Sequence, residues 1–211
     1  MRTVKAVLIF FVCGLATGLC FGGLLSLRSL TTFWYIKGDK LLIPTYRYYV
    51  GVGVFLVLGL AIADVLSRLT GLLRENSSTV RRVVSAIIVA ISPLMLFAAA
   101  TVLLTHTATV TTETGTNLTM NIDPITLYVL GIIAFGVIVS IASWVLTERS
   151  FSFGLSLNLL TIPAAFCLVY IAAKVLRVPA EWSELVTYTI YFSLISASWG
   201  LSMAASKPAA T

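Results

Sequence analysis

Few residues in this 211-residue chain can do chemistry, and one carboxylate stands apart from the rest. Asp64 is the single acid inside a long apolar run, the one between Arg47 and Arg68. An acid there has two readings. Burying a carboxylate in an apolar medium is costly, and a buried acid often carries an ion or a proton. The other reading is structural. Arg68 follows four residues later, on the same helical face and in the favourable acid-first order.

A second set of polar residues lies inside other apolar runs: Asn158, and Thr189, Ser193 and Ser196 with Gly200 at spacing three to four. Such groups hydrogen-bond helices to one another, or they line a solute path. Pro93 and Pro163 sit near the middles of their runs. Each removes a backbone hydrogen bond, freeing the carbonyls of Val89 and Leu159, and is expected to kink its helix. Broken helices of this kind border binding sites in transporters.

The remaining chemistry is sparse. His106 is the one histidine, and Cys13, Cys20 and Cys167 form no C-x-x-C pair. H-E-x-x-H, G-x-S-x-G and Walker glycine patterns are all absent from the sequence. No two carboxylates share an apolar run. The sequence therefore predicts no catalytic residue, no metal site and no cofactor, and it disfavours an enzyme.

The elements that must position these residues are read from hydropathy. Hydrophobic residues make up 59% of the chain and charged residues 10%, with a mean hydropathy of +1.02. A soluble domain carries roughly 25% charged residues. Six runs reach the length of about 20 residues that a bilayer-spanning helix needs: 6–27, 48–67, 83–104, 124–147, 151–173 and 185–206. The expectation is an all-α, polytopic transmembrane helical bundle of six spans in one domain. Residues 151–159 alternate with period two, as a strand would, but an unpaired strand leaves its backbone polar groups unsatisfied in lipid. A helix is expected there.

Gly14, Gly18 and Gly22 repeat every four residues, with Gly23 adjoining. They form a groove along one helix face that another backbone can approach closely. Gly136 and Ser140, with Ser143 and Gly131, form a weaker version. These faces either pack within the chain or dock a second subunit.

Charge sets the orientation. Segment 69–82 holds Arg74, Arg81 and Arg82, whereas 105–123 holds Glu113 and Asp123 and no lysine or arginine. The positive-inside rule then places 69–82 and both termini in the cytoplasm, most simply at the cell membrane. The net charge of +6 sits at the ends of apolar runs, where lipid headgroups attract it. Membrane lipids are the expected partners, together with other membrane subunits or further copies of the chain, and nucleic acid is not. Segment 28–47, with Phe33, Trp34 and Tyr35, is expected to form an interfacial amphipathic or hairpin element. The sequence favours an accessory or structural subunit of a larger membrane complex. The alternative is a small transporter or channel-like protein.

Overall fold

Each of the six apolar runs forms a helix in a computed structural model that describes residues 2–26, 35–37, 40–42, 46–73, 78–111, 117–120, 124–147 and 151–204. The helices are α1 (Arg2–Ser26), α2 (Tyr46–Leu69), α3 (Thr79–Thr107), α4 (Pro124–Thr147), α5 (Phe151–Lys174) and α6 (Ala180–Ala204). Arg28, Trp34, Arg74, Glu113, Asp123, Arg149 and Lys207 lie outside the described residues.

Three helices are long and apolar enough to cross a membrane over described residues, within Arg2–Leu25, Tyr49–Leu69 and Thr79–Leu96. Shorter apolar stretches cover Ile133–Leu146 of α4 and Gly154–Val169 of α5. In α5 the period-two alternation gives way to a helix. Its buried positions include Gly154, Asn158, Ile162, Ala165 and Ala172, a helical spacing. The helix satisfies its own backbone polar groups, as a lone strand cannot.

Two connections carry short antiparallel hairpins. β1 (Tyr35–Lys37) pairs with β2 (Lys40–Leu42), and β3 (Ala108–Thr111) pairs with β4 (Asn117–Met120). The first falls where an interfacial hairpin or amphipathic element was expected. The second is a departure, since the threonine-rich segment 105–123 was read as loop. Its β-branched Thr109, Thr119 and Val110, the last opposite Leu118, suit a pleated strand.

The helices run alternately up and down. Each packs on its neighbour in sequence, and α1 closes against α6 to complete a ring. The α1–α6 pairing is the most extensive in the molecule. Both hairpins therefore lie at one end of the bundle, with the α2–α3 connection at the other.

That second end is defined by local signals. α2 stops in a Schellman turn: the Leu72 amide donates to the Ser67 carbonyl at 2.9 Å and the Gly71 amide to Arg68 at 2.8 Å. Gly71 has φ +67°, a left-handed conformation that costs glycine nothing. α3 starts on Ser78, whose hydroxyl accepts the Arg81 amide, an N-cap arrangement.

Burial is distributed in an unusual way. The interior holds Phe10, Phe21, Leu56, Val89, Val139 and Phe192. It also holds Thr17, seven-residue-spaced Ser85 and Ser92, and Ser140, Asn158, Ser196 and Ser198. The outer faces carry Leu8, Val12, Val54, Leu58, Ile87, Ile91, Ile133 and Trp144. So much contiguous apolar surface is foreign to a protein surrounded by water.

Candidate functional site

The glycine repeat of α1 faces α6. A β-carbon built on Gly18 would lie 2.6 Å from the Tyr188 carbonyl oxygen and 2.8 Å from Thr189 Cα, and one on Gly22 2.6 Å from Leu185 Cα. On Gly14 it would collide with the Phe192 carbonyl oxygen and stand 2.7 Å from Ser196 Oγ. Gly200 returns the fit from α6, lying under the ring of Phe10. The groove is thus filled by another helix of the same chain.

The polar seam of α6 is the other half of this contact. Thr189 and Ser196 lie beneath the α1 glycines. The Thr189 hydroxyl donates to the Leu185 carbonyl at 2.6 Å and the Ser193 hydroxyl to Thr189 at 2.5 Å. Ser196 Oγ is buried without a hydrogen-bond partner. None of the three lines the two interior cavities described below.

Asn158 ties α4, α5 and α6 together. The Ser198 hydroxyl donates to Asn158 Oδ1 at 2.8 Å, Asn158 Nδ2 donates to Ser140 Oγ at 3.0 Å, and the Ser140 hydroxyl donates to the Gly136 carbonyl at 2.6 Å. The three side chains are at most 6% exposed, so they are bonded where water does not reach. Gly136 itself meets only side-chain ends of Ile162 and Leu159, a looser fit than the α1 glycines make. Asn158→Ala is expected to destabilise the bundle by about 1–2 kcal/mol, since interhelical hydrogen bonds in membranes average about 0.6 kcal/mol and a small cavity adds to the loss. Unfolding of the detergent-solubilised chain by sodium dodecyl sulfate measures this, and an unchanged midpoint would contradict it.

Asp64 and Arg68 form an ion pair, Oδ2 to Nε at 2.9 Å, with side chains 19% and 15% exposed. Asp64 Oδ1 and Arg68 Nη1 are buried and have no partner in the protein. Asp64 also borders a cavity of about 310 Å³ between α2 and α3. Leu60, Val89, Leu146 and Trp199 form its floor, and Arg82 stands opposite Asp64 at its rim. The Ser85 hydroxyl reaches this floor and donates to the Ala142 carbonyl at 2.9 Å.

A second cavity, of about 230 Å³, lies further along the same four helices and is bordered by Tyr49, Leu56, Pro93, Phe135, Tyr188 and Ile195. The two are separated at the level where Leu56 and Val89 are buried. Pro93 lies within continuous α3. The Ser92 hydroxyl donates to the Val89 carbonyl at 2.8 Å, supplying a bond to the oxygen that Pro93 leaves without its helical donor. Pro163 borders neither cavity.

Sequence reasoning singled out neither Gly53, Gly59 nor Trp199, and read Arg82 for orientation alone. A β-carbon on Gly53 would strike the Ala90 carbonyl oxygen, and one on Gly59 would lie 2.6 Å from Thr17 Oγ1. The one signal that could have found the glycines is their recurrence at Gly51, Gly53 and Gly59, which does not tell which face meets which helix. Nothing local marks Trp199 as a cavity wall. Among the described residues, no three of His, Cys, Asp and Glu gather in a way that could hold a metal ion. No protein-family model, curated protein or solved structure matches the chain.

Proposed function

We propose that the chain is a multi-pass integral membrane protein that crosses the bilayer six times with both termini in the cytoplasm, and that it serves as an accessory or structural subunit of a larger membrane assembly. One observation carries this reading. The polar and small residues inside the helices are engaged with one another: glycines with the α6 backbone, Asn158 with Ser140 and Ser198, Ser85 with α4, and Asp64 with Arg68. Among the described residues they do not converge on a common polar site. The broad apolar outer faces supply surface for lipid and for neighbouring subunits.

Two measurements test it. With the three native cysteines replaced by alanine, Asn76→Cys is expected to react with an impermeant maleimide only from the cytoplasmic side, and Gly115→Cys only from outside. Labelling of both from the same side would end the six-span topology. After extraction in mild detergent, a stoichiometric partner is expected to co-purify. A chain that runs alone as a monomer would end the subunit role.

The transporter reading keeps one specific support, the two cavities shared by α2, α3, α4 and α6. Their mostly apolar walls suit a small apolar solute better than an ion. Loss of solute flux in vesicles on Asp64→Asn, with folding intact, would favour that reading.

A further inference from the structure

One buried acceptor in this bundle lacks a donor and stands beside open space. Asp64 Oδ1 is buried and has no hydrogen-bond partner, and Asp64 lines the cavity of about 310 Å³ between α2 and α3. Arg68 serves the other oxygen, Oδ2. Arg82, on the opposite rim, is engaged without donating to Oδ1. The Ser85 hydroxyl donates to the Ala142 carbonyl. A buried acceptor left unmet is destabilising, so a donor from outside the chain has a place here.

The shape of the cavity selects the molecule that carries the donor. Its floor is buried: Leu60, Val89, Leu146 and Trp199 are each at most 9% exposed. Its flanks lie on the outer surface, with Val65 54% and Val83 51% exposed. The mouth is therefore the gap between α2 and α3, on the side of the bundle. Along α2 the lining runs from Val57 to Val65, a rise of about 12 Å, with Asp64 near one end. A water at Oδ1 would meet the oxygen but not fill the rest of this space, whose apolar walls lack the polar partners that buried water needs. Hydrocarbon suits those walls. An apolar pocket with one well-placed polar group is the usual form of a small-ligand site. The donor needs no charge. Arg68 already matches the carboxylate, and an ammonium would bring a surplus charge against apolar walls, which is costly. A hydroxyl carries one donor hydrogen and suits the single oxygen.

We propose that the α2–α3 cleft binds a neutral lipid alcohol from the surrounding bilayer, its hydroxyl donating to Asp64 Oδ1 and its hydrocarbon lying along the cavity toward Trp199. This rests on the membrane-spanning reading above and is independent of the subunit role.

Trp199 makes the proposal measurable. A protein with Trp34, Trp144 and Trp182 changed to Phe keeps Trp199 alone, and a sister protein keeps Trp144, which is 50% exposed on the outer surface. Both are reconstituted in phosphatidylcholine vesicles and titrated with decanol or decane brominated at the chain end. Trp144 is expected to be quenched by both probes, and it measures how much of each enters the bilayer. Scaled to Trp144, the alcohol is expected to half-quench Trp199 at about fivefold lower content than the alkane, the effect of one modest hydrogen bond. Ala86→Leu, on the wall, and Ala61→Phe, at the mouth, are each expected to cut Trp199 quenching severalfold and leave Trp144 unchanged. The paired change Asp64→Leu with Arg68→Met, which leaves no lone buried charge, is expected to remove the advantage of the alcohol while the alkane still quenches. Brominated decylamine is expected to act no better than the alcohol. Quenching of Trp144 without Trp199 overturns the cleft proposal and leaves the membrane reading standing. Quenching of neither overturns both. Trp199 quenching that survives either Ala86→Leu or Ala61→Phe also overturns the cleft. Equal action of alcohol and alkane on Trp199, or an advantage that persists without Asp64, overturns the bond to Asp64, and a stronger amine overturns the neutral headgroup.

Discussion

Gly18→Leu is expected to lower the stability of the isolated, detergent-solubilised chain by about 3 kcal/mol or more, at the upper end of what overpacking costs. Backbone causes the collision. A β-carbon on Gly18 lies 2.6 Å from the Tyr188 carbonyl oxygen and 2.8 Å from Thr189 Cα, and backbone atoms cannot rotate out of the way. The helices must separate, and the contact they lose is the most extensive in the bundle. Gly23 provides the control. Its β-carbon would meet only Leu185 Cδ1, at 3.9 Å, an ordinary contact. Gly23→Ala is therefore expected to stabilise the chain by up to about 1 kcal/mol through helix propensity alone. Gly18→Ala gains the same propensity and still loses stability, so the difference between the two alanine variants isolates the steric cost. If the glycine face served an external subunit, Gly18→Leu would abolish co-purification and leave the isolated chain as stable as its parent. An unchanged unfolding midpoint for Gly18→Leu would falsify the α1–α6 seam.

Much of this seam was legible in the sequence, and its partner was not. Gly14, Gly18 and Gly22 announce a close approach by their spacing, because only helical periodicity places every fourth residue in line. The identity of the approaching helix is a property of ring closure. It joins α1 to α6 across nearly the whole chain, and no local pattern reports that. The six helices were legible for a related reason. An apolar run of about 20 residues satisfies its backbone away from water most simply as a helix, which is why a helix was the expectation at 151–159 despite the period-two pattern. Asp64 was legible as a pair with Arg68, since i and i+4 share a face. Its cavity was not, because that cavity depends on where α2 and α3 touch at Gly53 and Ala90, and on Leu146 and Trp199 arriving from two other helices. The polar residues of α6 invited a solute path by their spacing, yet Thr189 and Ser196 turned toward α1. The 3.6-residue period fixes which residues share a face but leaves open which neighbour that face meets.

Arg68→Met is expected to destabilise the bundle by about 2–3 kcal/mol, while the double change Asp64→Leu with Arg68→Met is expected to restore most of that loss. The reasoning is that breaking a buried ion pair costs more than removing it. Deletion of one partner from a fully buried pair costs about 3–5 kcal/mol, because the other charge remains uncompensated. Here the two side chains are 15% and 19% exposed and lie near a helix end, so the cost falls below that range. Asp64 suffers more than Arg68 from losing its partner. Its Oδ1 already lacks a protein donor, and removal of the Arg68 guanidinium leaves Oδ2 without its ion-pair partner. Asp64→Leu alone is expected to cost less, about 1–2 kcal/mol, because the long arginine stem can carry its charge toward the headgroups. The double variant replaces both charges with apolar side chains, a change that is often neutral or stabilising. Chemical unfolding of the four proteins completes a double-mutant cycle, which measures the coupling directly. A coupling near zero would show that Asp64 answers to something other than Arg68. The cavity at its free oxygen, with Arg82 on the far rim, is where that other interaction would have to lie.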